Sequence, residues 1–167
     1  MFVFGKDTLA EVVYFTTLAT WDAGKTARAR IYIRALESEG VQVVYGEFKR
    51  KQKHCHLCRG LFWSFEEKQT DVNMALYLVL YALQERYDKA IIVSGDTDLL
   101  PAVKGVRGAF PGKQIGLVIP IGRRSEDFKQ QVDFHYKMRE HHLVKSQFAD
   151  PLTLPDNTVL TKPANWI

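Results

Sequence analysis

Ala90-Ile-Ile-Val93 constrains this chain more than any other stretch. It is short, apolar and rich in β-branched residues, and Lys89 and Gly95 bound it. A strand with no polar face reads as buried on both sides, the habit of parallel sheets covered by helices. The upstream segment agrees. Val72, Ala75, Leu76, Val79, Leu80 and Leu83 recur at helical spacing and predict an amphipathic helix, with Thr70 or Asp71 placed to cap it.

The same alternation runs through the rest of the chain. The β-branched and aromatic residues Val12-Val-Tyr-Phe15 predict a strand over 10–17. Ala27, Ile31, Ala35 and Leu36 predict a helix over 23–38, which Gly40 stops. Strands follow over 41–45 and 114–119. A helix extends to about Gly108, another covers 125–131, and a last short strand covers 134–138. Strands alternating with helices define an α/β fold with a mostly parallel sheet and helices on both faces. The basic run Lys49-Arg-Lys-Gln-Lys53 and the cysteine segment after it read as a loop over 49–64. The 167 residues fit one domain over 1–148, and 149–167, with three of the six prolines and no periodicity, read as a surface tail.

Composition narrows the partners. Hydrophobic residues make up 46% and charged residues 25%, which excludes a disordered or collagen-like chain. A net charge of +4 permits a polyanionic partner. The longest apolar run, Met74–Leu83, falls far short of the ~20 residues a membrane span needs. No signal-peptide pattern follows Met1, and the expected location is cytoplasmic.

The chemistry concentrates in Ser94-Gly-Asp-Thr-Asp98. In open α/β sheets ligands bind at the carboxyl ends of strands. Asp96 and Asp98 there form a hard-oxygen site suited to Mg²⁺ or Mn²⁺, with Ser94 and Gly95 shaping the turn. Asp71, at the start of the long helix, is expected at the same edge. Asn73, two residues on, can add an oxygen ligand or position a phosphate. The plainer alternative makes Asp71 and Asp98 N-caps of their helices.

Ile92-Val-Ser-Gly-Asp-Thr-Asp-Leu99 resembles the "SGDSD" signature of NYN-domain proteins, the LabA-like branch of the PIN-like nuclease superfamily. Glu66-Glu-Lys-Gln-Thr-Asp-Val-Asn73 resembles that family's "EEKxTDVN" motif. Pro101, Val103, Gly122-Arg-Arg-Ser125 and Leu160–Trp166 also fit a bacterial subgroup, so the likeness runs from about Val12 to Trp166. It implies a three-layer α/β/α sandwich and metal-dependent RNA cleavage. Asp71, Asp96 and Asp98 would be the catalytic, metal-binding carboxylates, with Mg²⁺ or Mn²⁺ as cofactor. Asn73, Ser94, Arg123 and Arg124 would contact the RNA.

The family's opening "hhhDGxN" strand has no counterpart here, since neither Asp7 nor Trp21-Asp-Ala-Gly24 matches it. The domain is therefore expected to be incomplete at its N-terminus and to lack one metal-binding Asp and a central strand. A nuclease-dead RNA-binding or protein-interaction module is the alternative function. Met1-Phe-Val-Phe4, or a second copy of the chain, could occupy the missing strand's place, so a homo-oligomer is expected.

Cys55 and Cys58, spaced C-x2-C, are half of a common tetrahedral zinc site. His54 or His56 plus another group, His141 or His142 or one from a second chain, would have to complete it; two reduced thiols in a polar loop is the other reading. Phe62, Trp63 and Phe65 read first as core and, alternatively, as a platform for stacked bases.

Overall fold

The computed structural model describes residues 7–166. The possible strand at Met1–Phe4 lies outside them. The chain forms two compact units: Met74–Gln147 with the N-terminal residues up to Ala10, and Glu11–Asn73 with the residues from Phe148 onward. Each is mixed α/β and contains a parallel sheet, the class expected from the alternation.

In the second of these units β1 (Val13–Thr16) pairs in parallel with β2 (Gln42–Tyr45), and α1 (Ala23–Ser38) connects them. Asp22 caps α1 by accepting the Lys25 N–H at 2.9 Å. Gly40, at φ +77°, lets the chain turn back toward β2, a conformation glycine adopts without steric cost. The expected surface tail is instead an antiparallel pair, β8 (Leu152–Thr153) with β9 (Val159–Leu160). Its Leu154 and Leu160 are buried with Ala35 of α1, and Ile31, Phe148 and Leu152 pack around them. Short strands separated by proline and asparagine carry no readable period, which is why the sequence resembles a tail.

The segment expected as a loop over 49–64 is also ordered. β3 (Glu47–His54) and β4 (Leu61–Lys68) form an antiparallel hairpin in continuous register from Glu47↔Lys68 to His54↔Leu61. β3 has almost no β-branched or apolar residues, so nothing in its own composition announces a strand. Cross-strand partners supply what propensity lacks. The Glu66 carboxylate on β4 lies 2.9 Å from Lys53, 3.6 Å from Lys51 and 3.5 Å from Lys68. Trp21 stacks on Phe65 with ring centroids 3.6 Å apart and meets Phe48 edge-on at 4.6 Å.

In the other unit β5 (Lys89–Val93), β6 (Gln114–Ile119) and β7 (Phe134–Lys137) form a parallel sheet in that order. The strand buried on both faces is β6, where Ile115 to Ile119 are all buried. β5 lies at the edge of these three strands, with Ile92 buried and Ile91 and Val93 exposed, so the interior place expected for Ala90–Val93 belongs to β6. α2 (Thr70–Leu83) runs from one unit's residues into the other's. It buries Leu78 and Ala82, whereas Val72, Leu76, Val79, Leu80 and Leu83 stay exposed. The helix is apolar around most of its circumference, so periodicity alone does not identify its inward face.

A short 3₁₀ turn (Thr97–Leu99), α3 (Leu100–Ala109), α4 (Glu126–Lys129) and α5 (Glu140–Lys145) complete this unit. Its core joins Leu99, Val103 and Val106 to Ile92, Ile115, Leu117, Ile119 and Phe128. Asp133 ties the loop before β7 to both neighbours: its carboxylate accepts the Ile115 N–H at 2.7 Å and an Arg107 N–H at 3.0 Å.

Gly116 faces Phe134 across the β6–β7 ladder. A β-carbon at Gly116 would sit 2.1 Å from the Phe134 ring. Gly116→Ala is therefore expected to displace that ring and to cost about 1–3 kcal/mol, the range for overpacking a filled interior. Urea denaturation measures it as a lowered midpoint; an unchanged midpoint would show that the ring moves aside freely.

Candidate functional site

The parallel register brings two turns to one end of a sheet. Val93, the last residue of β5, pairs with Val118, one residue before the end of β6. The turns Ser94–Thr97 and Pro120–Arg124 therefore leave adjacent strands in the same direction.

The first turn is held by its own side chains. Ser94 Oγ accepts the Asp96 N–H at 3.0 Å, and Asp96 Oδ1 accepts the Asp98 N–H at 3.0 Å. The capping residue is thus Asp96, at the N-terminus of the 3₁₀ turn, and Asp98 lies inside that turn. α3 begins later, at Leu100, with Pro101 in its first turn, so Asp98 is not its cap. Asp96 and Asp98 are both exposed, and among the described residues neither forms an ion pair. Asp96 retains a second oxygen, and Asp98 its whole carboxylate, for a ligand.

The second turn lies against the first at Gly95. A β-carbon on Gly95 would be 3.0 Å from Arg123 Cβ and 3.3 Å from its Cγ. A side chain there would crowd the Arg123 stem, which would have to shift by a few tenths of an ångström. Gly122, at φ +78°, turns the chain so that Arg123 follows directly. A cavity of about 290 Å³ opens beside this loop, lined by Ile119, Arg123, Arg124, Glu126, Lys129 and Lys137. Glu126 is engaged by Lys129 at 2.7 Å, which holds its carboxyl below the usual carboxylate range. Four cations against one carboxylate make this concavity attractive to anions. Ser125, behind it, is buried, and its hydroxyl has no hydrogen-bond partner among the described residues.

Asp71 and Asn73 belong to the unit Glu11–Asn73, apart from Asp96 and Asp98 in sequence grouping. Asp71 is in the first turn of α2, inside the helix instead of at its cap. Its carboxylate lies where the helix dipole favours negative charge. Asn73 donates its side-chain amide to the Tyr45 carbonyl at the end of β2, at 3.4 Å. Among the described residues no three His, Cys, Asp or Glu side chains are gathered as a metal-holding group. The structure thus unites Ser94, Asp96, Asp98, Arg123 and Arg124.

Cys55 and Cys58 lie at the tip of the β3–β4 hairpin, both as free thiols. N–H groups of Cys58 and Leu57 and the Cys58 thiol hydrogen-bond to the Cys55 sulfur and lower its pKa. His141 and His142 belong to α5, where His142 Nδ1 accepts the Arg139 N–H. Of Phe62, Trp63 and Phe65, only Phe65 is partly buried, stacked on Trp21. Phe62 and Trp63 are about half exposed, and the Arg50 guanidinium lies 3.8 Å over the Trp63 ring. The core reading of Phe62 and Trp63 fails because the hairpin that holds them at the surface reads as a loop in the sequence.

Comparison with known proteins accords with this architecture. The chain belongs to the NYN domain family, whose sequence model matches residues 7–139; NYN domains are part of the PIN-like nuclease superfamily. A curated relative, 6-hydroxy-3-succinoylpyridine 3-monooxygenase HspA of Pseudomonas putida (strain DSM 28022 / S16), is 34% identical over 168 residues. That alignment takes in 97% of this chain and 52% of the relative, so the chain spans about half that protein's length. A crystal structure of VPA0982, a protein of unknown function from Vibrio parahaemolyticus RIMD 2210633, shares the fold. Its TM-score is 0.55 at 18% identity, over 78% of this chain and 69% of that one.

The lysines around Glu66 hold its pKa down at about 2, chiefly through the Lys53 hydrogen bond. A carboxylate lowered on folding contributes stability above its ordinary pKa and loses it as pH falls through the folded value. The Glu66 contribution should accordingly be complete above pH 4.5 and fade toward about pH 2. Carboxyl-carbon NMR titration should find a Glu66 midpoint of about 2. A midpoint at the ordinary value of 4.5 would contradict the lysine cage.

Proposed function

We propose that this chain is a divalent-metal-dependent ribonuclease of the NYN class, acting on RNA in the cytoplasm. The observation that carries the reading is the pairing of two turns at one sheet end. One bears the exposed carboxylates Asp96 and Asp98; the other carries Arg123 and Arg124 beside a cationic cavity. The family assignment supports a nuclease, and two free thiols fit a reducing compartment. No helix among the described residues is long and apolar enough to cross a membrane.

The residues fit Mg²⁺ or Mn²⁺ by their donor chemistry. Mg²⁺ keeps several waters and takes one or two protein carboxylates with substrate phosphates, so it does not require a closed protein cage. Asp96 and Asp98 would hold it, and Asp71 is proposed as the third carboxylate. When bound, the cation supplies Lewis-acid stabilisation of charge on the phosphate and activates water.

The chain's own groups do the remaining work. Arg123, Arg124, Lys129 and Lys137 face the same cavity and would bind successive backbone phosphates. The Ser94 hydroxyl, already an acceptor for the Asp96 N–H, keeps its proton free to donate to a phosphate oxygen. Asn73 is proposed to place substrate near Asp71. The oxygenation named for the Pseudomonas relative is a property of a chain about twice as long and is not part of this proposal.

Asp96→Asn isolates the charge, because an asparagine oxygen can still accept the Asp98 N–H. Cleavage of single-stranded RNA should require Mg²⁺ or Mn²⁺ and stop in EDTA. In Asp96→Asn it should fall roughly 100-fold or more, since several kcal/mol of charge stabilisation is lost. RNA binding without cleavage under every metal condition would replace this reading with that of a nuclease-dead RNA-binding module. Cleavage that survives both EDTA and Asp96→Asn would move the active site elsewhere.

Arg123→Ala and Arg124→Ala should each weaken RNA binding regardless of sequence. Each should also reduce the slope of log affinity against log salt by about one. Fluorescence anisotropy over a salt series reads both effects; an unchanged slope would remove these arginines from the interface.

A further inference from the structure

The tip of the β3–β4 hairpin carries two cysteines three residues apart. Cys55 follows the last residue of β3, and Cys58 lies three residues on, in the turn that leads to β4. The Cys55 N–H donates to the Gly60 carbonyl at 2.9 Å, and the Arg59 N–H donates to the Cys55 carbonyl at 2.9 Å. Arg59 takes φ +56°, which closes the turn tightly. The thiolate is the form of cysteine that ligates metals.

Tetrahedral Zn²⁺ takes four sulfur or nitrogen ligands in structural sites. This chain has two cysteines in all. Among the described residues no third His, Cys, Asp or Glu is placed to join them, although His54 and His56 stand on either side of Cys55. The half-site is accessible, since Leu57 between the thiols is 97% exposed.

We propose that Cys55 and Cys58 bind a Zn²⁺ shared between two copies of this chain, each copy contributing one C-x2-C pair about a two-fold axis. A half-site meets its own complement in an identical copy, because a two-fold interface sets the same patch against itself. Charge favours the meeting. One Zn²⁺ with four thiolates carries a net charge of about −2. Each tip brings Arg59 directly after Cys58, and Arg59 has no ion pair among the described residues. Two arginines offset the negative centre, whereas without the metal they would repel. The exposed Leu57 of each tip gains an apolar neighbour in the same step.

The test uses the whole chain, purified with a phosphine reductant and supplied with Zn²⁺. Elemental analysis should find one zinc per two chains, and sedimentation equilibrium a dimer that dissociates when the zinc is chelated. Cys55→Ser and Cys58→Ser should each lose both zinc and dimer while keeping the wild-type circular dichroism spectrum. Co²⁺ in place of zinc should give the visible absorption of an all-thiolate tetrahedral site. One zinc per monomeric chain, a dimer that survives chelation, cobalt bands of a mixed sulfur and nitrogen or oxygen site, or no zinc bound would each overturn the proposal.

Discussion

The parallel register of β5 with β6 is the constraint on which the candidate site depends. Ile92 pairs with Leu117 and Val93 with Val118, so the two strands end within one residue of each other. Everything after them follows from that alignment. A slip of one residue would turn Ile92 out of the core, where it packs with Leu117 and Ile119. The core thus determines that the aspartate turn and the arginine turn emerge side by side.

Local chemistry then refines what the register provides. Ser94 and Asp96 use their side chains to hold the backbone of their own turn, an arrangement in which short polar residues excel. The missing side chain at Gly95 lets Arg123 lie close. Opposite charges are thereby held near each other without pairing. Two carboxylates remain open to a cation, and the neighbouring cavity remains open to anions. A phosphodiester with its metal counter-ion is a ligand that satisfies both.

The β3–β4 hairpin shows a different balance. Strand propensity contributes little to β3, and the register with β4 contributes most. Glu66 gathers three lysines, Trp21 clamps Phe65 and Phe48, and Arg50 covers Trp63. Apart from Glu66–Lys68, these contacts join residues far apart along the chain, so a window of neighbouring residues reads only a basic loop followed by aromatics. The pair β8 and β9 was hidden for a similar reason: two-residue strands carry no period, and their stability comes from Leu154 and Leu160 against Ala35.

Sequence by itself determined the α/β class, the extents of α1 and β6, and the residues of the acidic turn. These properties arise from near neighbours: apolar periodicity, a capping Asp22, a stopping Gly40 and two carboxylates spaced by Thr97. Only tertiary structure decided which side of α2 is buried and that β6 and not β5 is central to its three strands. An all-round apolar helix is compatible with several inward faces, and a short apolar strand is compatible with edge or centre. Packing against Val103, Val106 and Phe128 chooses among them, because burial is a property of the assembled layers and not of any single segment.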